Sequence, residues 1–70
     1  DLAASLTNLG AVYSAEGRYA EAEPALARAL AIQSKTLGAE HPLTAGTMVE
    51  YARVLRATKR KSEAARFTHN

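Results

Sequence analysis

The 70 residues suffice for one small domain. They are 47% hydrophobic, but sixteen of those positions are alanine, and a chain this size buries only about 60% of its unfolded surface. The absence of cysteine and the presence of only two histidines exclude a disulfide framework and a closed Cys/His zinc site, and no apolar run approaches the roughly 20 residues of a membrane span. The net charge of +2 is uneven: Asp1, Glu16, Glu21, Glu23 and Glu40 outweigh Arg18, Arg28 and Lys35 in residues 1–42, whereas Arg53, Arg56, Lys59, Arg60, Lys61 and Arg66 outweigh Glu50 and Glu63 beyond them.

Leu2, Leu6, Leu9 and Tyr13 recur at four, three and four residues, the stripe of one helix face. This predicts a helix over about 2–16, with Asp1 as its cap and Gly17 as its stop. Tyr19, Ala22, Leu26, Ala29 and Leu30 form a second stripe, predicting a helix over about 19–36. Glu21 and Glu23 sit near its positive end and Lys35 near its negative end, and Pro24 removes at most one early backbone bond. Leu37-Gly38 ends this helix, and Pro42, preceded by His41, opens the next. Met48, Tyr51 and Leu55 mark a third helix over about 43–58. Lys59-Arg60-Lys61 interrupts the apolar pattern, so a turn is expected there, with a fourth helix over about 61–68 carrying Ala64 and Phe67. The short connections make successive helices antiparallel.

Displacing the sequence by 42 residues superposes Ala3, Val12, Ala15, Arg18, Glu21 and Ala22 on identical residues at Ala45, Val54, Ala57, Arg60, Glu63 and Ala64. Leu6 meets Met48, Gly10 meets Ala52 and Tyr13 meets Leu55. Small residues at Gly10, Ala22, Ala52 and Ala64 let paired helices approach, and Leu6, Tyr13, Leu26 and Phe67 fill the space between them. Leu6, Leu9-Gly10, Tyr13, Ala22, Leu26 and Ala29 resemble the tetratricopeptide repeat. Asn8-Leu9, Ala22-Glu23-Pro24 and Leu37-Gly38-Ala39-Glu40-His41-Pro42 are similar to the kinesin light chain subtype. The second unit departs from the pattern, with Glu50 at the place of Asn8 and Lys59-Arg60-Lys61 at that of Gly17-Arg18-Tyr19.

The resemblance implies an all-α fold of antiparallel helix-turn-helix pairs in an α-solenoid, with a first repeat over 1–38 and a second, truncated repeat over 39–70. By phase, Asp1 follows directly on what would be a preceding His-Pro, so the expectation is a piece of a longer array. A cytoplasmic location is the compartment favoured.

Ser5, Ser14, Ser34 and Ser62 lack a nucleophile turn, Glu40-His41 does not supply convergent metal ligands, and Glu21 and Glu23 point to different sides of their helix. No glycine-rich phosphate loop is present. The expectation is therefore no enzyme and no cofactor. The basic run of Arg53, Arg56, Lys59, Arg60 and Lys61 meets the charge requirement of nucleic-acid binding, but Tyr51 and Phe67 sit at predicted core positions instead of offering stacking surfaces, which argues against that partner. The resemblance implies a concave groove lined by the first helix of each pair, with a protein or peptide as partner. With Leu2, Leu6, Leu9 and Tyr13 turned inward, the groove candidates are Thr7, Asn8 and Ala11 in the first unit and Glu50, Arg53 and Arg56 in the second. An amide at Asn8 donates and accepts at once, as a peptide backbone requires. Arg53 and Arg56 suit a peptide carboxylate, although Glu50, three residues before Arg53, is positioned to pair with it. The competing expectation is a purely structural or engineered fragment that binds nothing else. Self-association is expected on either reading, through end-to-end stacking or through exchange of second units across the 37–42 connector.

Overall fold

A computed structural model describes the backbone over residues 2–68 and the side chains over residues 2–60. The expected cap at Asp1 and the packing roles of Ala64 and Phe67 lie outside the described residues. The described chain holds three helices, α1 (Leu2–Ala15), α2 (Tyr19–Thr36) and α3 (Pro42–Thr68), with no strand among them. α2 packs against both α1 and α3.

α1 stops where the sequence predicts. Gly17 takes a φ of 77°, a left-handed conformation that costs glycine nothing. The Gly17 N–H reaches the Ser14 carbonyl at 3.0 Å and the Arg18 N–H reaches that of Tyr13 at 2.8 Å, satisfying carbonyls that the helix end would otherwise leave unpaired. α2 begins with Glu21 in its first turn and ends with Lys35 in its last, and it contains Pro24 near its start. Gly38, with φ 92°, ends the chain's helical course there. At the start of α3, His41 Nδ1 accepts from the Leu43 N–H at 3.1 Å and the His41 carbonyl accepts from Ala45 at 2.9 Å. His41 is thus a helix cap, with Pro42 at the first helical position.

The expected turn at 59–61 is absent. α3 runs unbroken from Pro42 to Thr68, and the predicted helices 43–58 and 61–68 are one. The cause lies in the residue types. Lys59 stands, by the 42-residue displacement, where Gly17 closes α1, and lysine does not share glycine's freedom at positive φ. Lysine and arginine are good helix formers, so charge alone does not end a helix.

The core is built from Ala22, Leu26 and Val54, with Tyr13, Tyr19 and Tyr51 packed against it. Gly10 makes the α1–α2 contact possible, since a Cβ there would lie 2.5 Å from Leu26 Cγ. The predicted inward stripes need correction. Leu6 and Tyr13 are half-buried, but Leu2 and Leu9 are exposed, as are Met48 and Leu55. α1 meets Leu26 of α2 at Gly10, and the other buried residue of α1, Ala3, is also small, while larger neighbours stay partly or fully exposed. α3 turns a stripe of Thr44, Thr47, Tyr51 and Val54 inward, so two threonines occupy places where leucine or methionine was expected. Their displaced counterparts on α1 are Leu2, Ser5, Leu9 and Val12, whose face is exposed.

Candidate functional site

α1 and α3 come together beside the end of α2. The Thr7 and Thr47 hydroxyl oxygens are 3.3 Å apart. The Thr7 hydroxyl donates to the Ala3 carbonyl at 2.9 Å, and the Thr47 hydroxyl donates to Gln33 Oε1 at 2.6 Å. Gln33 and Thr47 are both buried, and their mutual bond offsets the cost of removing two polar groups from water. Thr44 Oγ1 is also buried, and it has no hydrogen-bond partner.

Above this junction lies a hollow of about 270 Å³. Ala4, Thr7 and Asn8 line it from α1, Leu43, Gly46 and Thr47 from α3, and Gln33 from α2. A second hollow, of about 280 Å³, is lined by Ser14 of α1, Tyr19 of α2, and Arg53, Arg56, Ala57 and Arg60 of α3. The six sequence candidates are therefore divided. Thr7 and Asn8 share the first hollow, and Arg53 and Arg56 share the second. Ala11 is exposed but lines neither. Glu50 lines neither, yet its carboxylate accepts from Arg53 at 3.3 Å, the i,i+3 pairing foreseen from their spacing. With the Arg53 side chain 69% exposed, solvent screens this pair and it holds the arginine only weakly.

The two hollows differ in chemistry. The first has apolar walls with two amides, Asn8 and Gln33, and two hydroxyls, which suits an uncharged backbone or a small apolar side chain. The second carries three guanidinium groups with two hydroxyl-bearing residues opposite. Arg18, near the α1–α2 turn, is already engaged. It donates to Glu21 at 2.8 and 3.0 Å and lies 5.0 Å from the Tyr13 ring centroid, and its hydrogen bond to Glu21 followed by the charge of that carboxylate raises its pKa.

Sequence reasoning missed Gln33 and Thr47, which join the three helices, and Ser14 and Tyr19 in the second hollow, and as a binding residue it named Arg60 only within the basic run. A signal existed for Thr47, whose displaced partner Ser5 is also a small hydroxyl. For Tyr19 and Ser14 the signal was three-dimensional, because only the hairpin of α1 and α2 brings them to the hollow that Arg56 lines. Among the described residues, no group of three His, Cys, Asp or Glu side chains is placed to hold a metal ion, and no helix is long and apolar enough to cross a membrane.

Compared with known proteins, residues 1–67 match the tetratricopeptide repeat family. No curated protein and no solved structure gives a significant match.

Proposed function

The chain belongs to the tetratricopeptide repeat family, and from that membership we propose a protein-binding module that takes a peptide along the face shared by α1 and α3. Repeats of this family generally mediate protein–protein interaction, and the family is not catalytic. The observation that carries the finer reading is the pair of hollows on that face, one offering Asn8 and the other Arg53 and Arg56. Asn8 holds a peptide backbone through its amide, and the arginines hold an acidic group further along. Thr7 acts mainly in support, because its hydroxyl already donates within α1.

The 42-residue self-match and the segment from Leu37 to Pro42 support the kinesin light chain subtype, with two repeats dividing near residue 38. In this arrangement α3 supplies the groove-lining helix of the second repeat and continues straight into the stretch that would form its pair. The α2–α3 packing supports a solenoid in which further repeats stack on the same plan.

A second reading, self-association, is favoured by one observation. Leu2, Leu9 and Val12 on α1 and Met48 and Leu55 on α3 are exposed, large apolar side chains that a second copy could cover.

Selection from a random peptide library tests the groove. Selected peptides should bind Asn8→Ala more weakly at unchanged helicity. Ligands indifferent to Asn8→Ala and to Arg53→Glu alike would move the site off this face. Sedimentation of the chain at high micromolar concentration tests self-association, which a folded, cooperative monomer would refute.

A further inference from the structure

We infer that the cleft between Ser14, Tyr19, Arg53, Arg56 and Arg60 is a receptor for the phosphoryl group of a phosphorylated peptide. The inference rests on the protein-binding reading and specifies the chemistry of its second hollow.

Arg53, Arg56 and Arg60 follow one another at three and four residues, so the geometry of α3 sets them on one side. All three line the same 280 Å³ hollow. Among the described residues, neither Arg56 nor Arg60 takes part in an ion pair, and the one carboxylate engaging the trio is Glu50, 3.3 Å from Arg53. The opposite wall brings the hydroxyl-bearing Ser14 and Tyr19. Tyr19 is also the first residue of the 18-residue α2, so the positive end of that helix adds to the field of the arginines.

Like charges gathered in one cleft repel one another, and an anion relieves that repulsion. A carboxylate presents two oxygens and one charge, which a single guanidinium fork satisfies. A phosphoryl group presents three oxygens and close to two charges, which matches three forks and two hydroxyls. Arginine clusters recognise phosphorylated peptides by this chemistry. A peptide fits better than a nucleic acid because the cations converge on one hollow instead of tracking a strand of repeated phosphates. The nearby aromatics, Tyr19 and Tyr51, are half-buried, and Tyr51 packs on the core.

The test begins with inorganic phosphate titrated into the full chain, read by NMR at the arginine Nε–H groups. Saturable shifts are expected at Arg53, Arg56 and Arg60 and not at Arg28. The Arg56→Gln/Arg60→Gln double variant should weaken binding by at least about tenfold, since charge-assisted hydrogen bonds are lost. Because these side chains are exposed, helicity should not change. Glu50→Gln should tighten binding by removing the competing carboxylate. Shifts that do not saturate, or that appear equally at Arg28, overturn the inference. A second arm compares a peptide library carrying one fixed phosphoserine with the same library carrying serine. Enrichment of the phosphorylated library, lost in the double variant, identifies a peptide as the source of the group. Equal enrichment of both libraries, abolished by Asn8→Ala, leaves the groove reading standing and removes this one. A short single-stranded oligonucleotide that binds more tightly than any phosphopeptide, through the same arginines, reassigns the cleft to nucleic acid.

Discussion

Replacing Gly10 by alanine adds one methyl group at the tightest contact between α1 and α2. The added Cβ would stand 2.5 Å from Leu26 Cγ, 2.6 Å from Cδ2 and 3.3 Å from Cδ1. Cγ lies near the root of the leucine side chain, and Leu26 is fully buried, so it cannot swing aside as the tip of a surface lysine would. Two effects oppose each other. Alanine is favoured over glycine inside a helix by about 1 kcal/mol, whereas overpacking costs about 1–3 kcal/mol. With the overlap falling on Cγ, the overpacking cost wins, and a net loss of up to about 2 kcal/mol is expected. For a chain of this length that lowers the thermal midpoint by roughly 4–8 °C per kcal/mol. Gly10→Leu should lose more. A double-mutant cycle with Leu26→Ala identifies the cause. Leu26→Ala alone costs about 2–5 kcal/mol through its cavity, and the added methyl of Gly10→Ala partly fills that cavity, so the pair should lose less than the sum of the single losses. Thermal melts followed by circular dichroism give all four midpoints. A Gly10→Ala midpoint above that of the parent would mean that helix propensity prevails and that α1 does not lie against Leu26 as described.

Two threonines on one face of α3 should respond oppositely. Thr47→Val strands the buried Gln33 Oε1 and should cost about 1–3 kcal/mol, whereas Thr44→Val removes a buried hydroxyl with no partner and should be neutral or stabilising; urea titrations that rank the two the other way would contradict the described hydrogen bonds. Gly17→Ala should cost about 1–2 kcal/mol through its φ of 77°, although a Cβ there meets nothing within 4 Å, and a midpoint unchanged by this substitution would remove the left-handed closure of α1. Lys59→Pro should break α3, at a cost of about 3 kcal/mol or more in an intact helix, and should remove helical signal from the residues beyond it; amide hydrogen exchange that leaves 60–68 as protected as before would show that the helix did not run through Lys59.

The helix ends were legible in the sequence because each rests on a local conformational fact. Gly17 and Gly38 hold positive φ where the sequence expected stops, and Pro42 opens α3 behind His41. The close approach at Gly10 was legible because a residue without a side chain, flanked by large ones, has few other uses in a helix. The course of α3 through 59–61 was not legible from hydropathy, because a run of lysine and arginine interrupts the apolar pattern yet carries no glycine or proline to end a helix. The inward face of α3 was misread because periodicity weighs Met48 and Leu55 above Thr44 and Thr47. Burial is decided by which stripe faces α2, and threonine can occupy that stripe when its hydroxyl finds a partner such as Gln33. The candidate site was half legible: residue types marked Asn8, Arg53 and Arg56, but the division into two hollows depends on how the α1–α2 hairpin lies against α3.

Backbone amide chemical-shift mapping with a library-selected peptide tests the proposed binding face most directly. Perturbations should follow Thr7, Asn8 and Ala11 on α1 and Glu50, Arg53 and Arg56 on α3, weakened by Asn8→Ala. Perturbations confined to the exposed Met48 and Leu55 side of α3, with residues 7–11 silent, would contradict the proposed face.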